Sequence, residues 1–152
     1  MGLPIKKIEV KDKSEWLDRS LIVGNYFCLC LTDKDYNKKL DDIKIPKIKR
    51  EPFVPPYKAG AQTHFYSNKE NETCCIITLL SHKKHSLCAV MALLAHEAMH
   101  IWRDVKDAMK ERTPSSEFEA YAIQSICLEL FTSFCEQTGR KNLTCDNKKD
   151  TK

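Results

Sequence analysis

The chain has 152 residues, 42% of them hydrophobic and 30% charged, and a formal net charge of +4. That length suits one domain with a real core, and the balance excludes fibrous and wholly disordered classes. The positive excess is local: Lys44, Lys47, Lys49, Arg50 and Lys58 stand against Glu51, and Arg140, Lys141, Lys148, Lys149 and Lys152 gather near the end. Residues 1–140 are expected to form the domain and 141–152 a disordered basic tail; a nucleic-acid surface is possible but not favoured. No stretch reaches transmembrane length, and residues 1–10 lack the apolar core of a secretory signal. The expectation is a cytoplasmic protein without membrane contact, whose eight cysteines stay reduced and mostly serve as small buried apolar residues.

Residues 4–10 read as a weak strand or an extended arm. Asp12 followed by Glu15 resembles a capping box and predicts a short helix to about Ser20, anchored by Trp16. A short buried strand is expected over 24–31. Thr32 with Asp35 predicts a second helix start, with Tyr36, Leu40 and Ile43 at helical spacing. Pro46, Pro52, Pro55 and Pro56 make 45–61 an irregular loop, either flanking a cleft or lying as an arm on the surface. Segments 62–67 and 73–80 around the turn 68–71 predict a β-hairpin. Ser86 is the N-cap of a long helix whose uncharged first half, 87–95, is expected to be buried on most sides and which runs to about Glu111. Pro114 at a first helical position opens another helix, stopped by Gly139, with Ala120, Ile123, Cys127, Leu130, Phe131 and Phe134 as its apolar stripe. The expected class is α+β: a small antiparallel sheet packed on the first long helix and its antiparallel partner.

The first long helix carries His96-Glu97-Ala98-Met99-His100. Histidines four apart share a helix face and can reach one metal ion, while the glutamate between them is rotated off that face and can act on a metal-bound water. That is the zincin arrangement, and it implies Zn2+. A third ligand is needed. Arg103 and Lys106 stand where metzincins place glycine and histidine, which excludes that class, and no histidine follows His100. A carboxylate is therefore expected, or less readily a cysteine. Glu117 and Glu119 in the second long helix are the candidates, and periodicity does not choose between them. His64 and Tyr66 alternate with Phe65, so they share one strand face and are possible substrate-binding residues, although a surface role is the first expectation for each. His82 and His85 lie in a basic turn and are expected to be solvated.

The segment Glu117-Phe118-Glu119-Ala120-Tyr121 resembles the E-x-x-A-D/N segment of small gluzincins, in which the first glutamate binds zinc. The resemblance therefore implies Glu117 as third ligand, with Glu119 as the alternative. The chain departs at Tyr121, where aspartate or asparagine usually orients a ligand histidine; Tyr121 is then a candidate oxyanion donor. Residues 63–66, 93–102 and 114–124 together are similar to short metallopeptidase-like proteins encoded by tailed phages and prophages, a likeness covering most of 16–135. It implies a zincin-like single domain in the cytoplasm of a bacterial host and a zinc metallopeptidase. Its ligands would be His96, His100 and Glu117, with Glu97 as general base and a protein or peptide as substrate. The alternative is a non-catalytic zincin-fold module with structural zinc, contacting nucleic acid or an acidic protein through the loop at 44–58. Substrate and oligomeric state are not legible.

Overall fold

The computed structural model describes residues 14–18, 25–55, 59–70 and 72–140. Residues 4–10 and 141–152, for which an arm and a tail were expected, lie outside them. Four strands form one mixed sheet: β1 (Leu17–Asp18), β2 (Asn25–Cys30), β3 (Ala61–Ser67) and β4 (Thr73–Leu79). Their spatial order is β1-β2-β4-β3. β3 and β4 pair antiparallel as the expected hairpin, with Thr63 opposite Ile77 and Phe65 opposite Cys75. β2 and β4 pair parallel, so the sheet is mixed and not purely antiparallel as expected. A parallel neighbour needs a crossover, and here it runs through α1 (Asp33–Asp42), the Pro-rich loop and β3. Two long helices follow: α2 (Leu87–Ala108) and α3 (Ser116–Thr138).

Strand alternation sorts the side chains into two layers. Phe27, Leu29, Cys75, Ile77 and Leu79 pack with Val90, Leu94, Ile101, Trp102, Ile126, Leu130 and Phe134 of α2 and α3. Cys28, Cys30 and Ile76 face the other way, onto Tyr36 and Leu40 of α1. Burying a large apolar side chain is worth about 1.5–3 kcal/mol, so the core is concentrated where β2 and β4, buried on both faces, run between these layers. The sheet thus carries a helix layer on each side, where the sequence suggested one.

Several expectations change. Residues 14–16 are not helical and Leu17 pairs with Phe27; the ladder and its packing override the local cap signal, while Trp16 still packs beside α1. The first half of α2 is buried only along Val90 and Leu94, and Cys88 is exposed, because α2 covers the sheet with one stripe. None of the seven described cysteines forms a disulfide. The buried face of α3 is Ala122, Ile126, Leu130, Ser133, Phe134 and Gln137. Apolar residues lie nearly all round this helix, so packing sets its phase; Gln137 fits the core because its Nε2 donates to Leu29 O (2.8 Å) and Ser133 Oγ (3.0 Å). Ser115, not a residue before Pro114, caps α3, and Gly139 ends it at φ 72°.

The described part of the Pro-rich loop lies as an arm against α1. Arg50 is bound to Asp41 and to Ile45 O (2.9 Å), and Phe53 packs on the Tyr36 ring. At its end Gly60 passes so close to α2 that a Cβ would stand 2.9 Å from Leu93 Cδ1. Among the described residues no helix is long and apolar enough to cross a membrane.

Candidate metal centre

Ser86 starts α2 by accepting the Ala89 amide on its Oγ (3.2 Å), and the helix runs unbroken through the motif. Counting about 100° per residue, Glu97 lies about 40° from Ile101 on the buried face, while His100 and His96 are turned about 100° and 140° from it. Observation matches that phase. Glu97 is 4% exposed, His96 is exposed and His100 half-buried. The cost of burial therefore falls on the glutamate alone, and it is met: Glu97 Oε2 accepts the Thr63 hydroxyl at 2.7 Å. Thr63 comes from β3, an outer strand of the sheet, on the face that α2 covers.

The two Nε2 atoms of His96 and His100 converge to 3.1 Å, with ring centroids 4.9 Å apart and planes at 71°. Two nitrogens on one tetrahedral zinc at about 2.0–2.1 Å stand about 3.3 Å apart. The imidazole pair thus fits that ion. A third donor is not gathered beside it: among the described residues no group of three or more His, Cys, Asp or Glu side chains is placed to hold a metal.

Helix phase separates the two candidate third ligands. Taking Ile126 as the buried reference of α3 and about 100° per residue, Glu119 falls within about 20° of it and Glu117 about 180° away. Accordingly Glu117 is exposed, whereas Glu119 Oε1 accepts the Trp102 indole N–H of α2 at 2.6 Å. Trp102 also meets Phe118 edge-on at 5.8 Å. Tyr121, about 140° from the reference, is 65% exposed on the outer side of α3 and is not turned towards the buried face. Its candidacy as oxyanion donor has no geometric support.

His64 and Tyr66 do share a strand face, but it is the face away from α2. His64 is buried, not on the surface. Its Nδ1 donates to Glu51 Oε2 at 2.7 Å and its Nε2 lies 3.4 Å from Thr78 Oγ1. Tyr36 Oη donates to Glu51 O (3.1 Å) and stands 3.2 Å from Tyr66 Oη. Burial, first of all, raises both phenol pKa values; the neighbouring Glu51 charge adds to both, and the Tyr66 hydroxyl adds to that of Tyr36. These groups brace the Pro-rich loop and α1 onto the sheet; they do not meet the imidazole pair.

Two residues at the site were not singled out from sequence: Thr63, which holds Glu97, and Trp102, which holds Glu119. The alternation that paired His64 with Tyr66 also paired Thr63 with Phe65 on the opposite face. What it lacked was the knowledge of which face α2 covers. No family model matches the chain, and no curated protein or solved structure is significantly similar to it.

Proposed function

We propose that the chain is a zinc-dependent peptidase of minimal gluzincin type. The observation that carries this reading is the 3.1 Å convergence of His96 and His100 beside a buried glutamate bonded to Thr63 and to neither imidazole. His96 and His100 would hold the ion. The resemblance to gluzincins favours Glu117 as third ligand, which is exposed; Glu119, the alternative, faces α2 but is bonded to Trp102. When bound, zinc would supply Lewis acidity, lowering the pKa of water to about 7 and polarising a carbonyl.

Glu97 is the proton carrier. The Thr63 hydroxyl fixes one carboxylate oxygen, which orients the other to take a proton from the attacking water and return it to the leaving amine. β3 is an outer strand of the sheet, and an extended peptide added along its open edge would lie beside α2. The substrate class is a protein or peptide, with a narrow cytoplasmic target. The test is cleavage of a peptide library by the zinc-loaded chain and by Glu97→Gln. Cleavage lost in Glu97→Gln with zinc retained supports the reading; identical products from both proteins reject it.

The ungathered third donor favours one competing reading, a non-catalytic module. Its partner surface would be the loop after α1, where Lys47 and Lys49 flank Ile48, 94% exposed. Salt-sensitive binding of DNA by the purified chain, without hydrolysis of any peptide, would establish it in place of the peptidase.

A further inference from the structure

The basic turn after the hairpin has no part in the hydrolytic reading, yet it forms one wall of a cleft of about 440 Å3. β2 and β4 are adjacent and parallel, so their carboxyl ends lie at the same edge of the sheet. From that edge the chain departs to opposite faces, β2 into α1 and β4 through the 3-10 turn His82–Lys84 into α2. Diverging continuations leave a crevice between them, and this is where open sheets with parallel strands take up ligands. The cleft is lined by Thr32 and Asp35 from one departure, by His82, Lys83 and His85 from the other, and by Arg140 after α3. Its volume falls within the range of small-molecule sites, about 300–1,000 Å3.

The lining carries two cations, Lys83 and Arg140. Phe134 steadies two of its members: His82 meets the ring edge-on at 6.0 Å, and the Arg140 guanidinium lies 5.7 Å over the same ring. Asp35, the one carboxylate on the wall, is turned back on its own cap, where it accepts the Thr32 hydroxyl at 2.7 Å. The ten-residue α1 starts beside it, its Asp35 amide taken by Thr32 Oγ1 at 3.1 Å. Burial first, and then the neighbouring Lys83 and Arg140 charges, lower the His82 pKa.

We propose that this cleft binds a small anionic molecule through a phosphate group, held by Arg140 and Lys83. A guanidinium fork and a lysine point charge together suit an anion with several oxygens better than a planar carboxylate. The site does not rest on the peptidase reading, since His96 is about 14 Å along α2 from its first residue.

The experiment is an NMR titration of the full labelled chain with inorganic phosphate at constant ionic strength, with acetate in parallel. Saturable shifts confined to the amides of residues 32–35, 82–85 and the end of α3 are expected. Affinity should fall roughly tenfold or more in Lys83→Ala/Arg140→Ala, and acetate should bind weaker by a similar factor. Both residues are exposed, and unchanged shifts elsewhere in the spectrum verify that the variant is folded. Shifts that never saturate, shifts spread over the lysine-rich surface, or unchanged affinity in the double variant would overturn the site. Acetate binding as tightly as phosphate would overturn the ligand class.

Discussion

The two faces of the sheet each hold histidine close to a carboxylate, and they treat it in opposite ways. On the α1 face His64 is buried and both ring nitrogens have protein partners, Glu51 on one side and Thr78 on the other. On the α2 face His96 is exposed, and His100 and His96 turn their Nε2 atoms towards each other. A buried polar group must be matched within the protein or it costs stability. The first arrangement meets that demand and is complete. In the second the two imidazoles meet each other at Nε2 on the solvent side, and the buried carboxylate is secured by Thr63.

The comparison breaks if the same substitutions act alike on both faces. The largest effect is expected for Glu97→Gln, which should lower peptide hydrolysis about 10^2–10^4-fold while zinc content measured on the purified protein is unchanged. His64→Ala should do the reverse, lowering stability by about 2–4 kcal/mol in urea unfolding through the cavity and the partners left unmatched, with zinc affinity unaltered. Thr63→Val keeps shape but removes the bond to Glu97; a loss of about 10–100-fold in hydrolysis or zinc affinity is expected, as for other groups that orient a metal site. The smallest effect is alkaline. Tyr36 and Tyr66 have pKa values raised above their ordinary 10.0, so the folded state keeps protons that the unfolded state releases above that pH. Their stabilisation is present below about pH 10 and is lost as pH rises beyond it. Urea midpoints of the wild type and Tyr66→Phe, compared at about pH 9 and pH 11, should show a shallower fall in the variant.

Much of the frame was legible because its signals are local. The hairpin followed from alternation about the turn at 68–71, and the start of α2 from Ser86. The end of α3 followed from Gly139, whose φ of 72° only glycine adopts without strain. What was not legible depends on which surface covers which. Leu17 belongs to a strand because Phe27 is there to pair with it. The parallel pairing of β2 with β4 is a long-range choice that no motif announces. The same holds at the site. The spacing of His96 and His100 sufficed to predict convergence, but α3 is apolar on so many sides that its phase could not be read, and so Glu119 and Glu117 could not be told apart. His64 and Tyr66 were correctly placed together on one strand face; the side of the sheet was decided by α1 and α2, outside the strand.

The central claim is that His96 and His100 form a zinc site, and it is tested most directly by zinc stoichiometry of the full chain after metal removal and titration. The wild type should take up one zinc per chain, and His96→Ala/His100→Ala should take up none while unfolding at the same urea concentration, since neither imidazole supports the core. Failure of the wild type to bind zinc, or equal uptake by the double variant, would contradict the account.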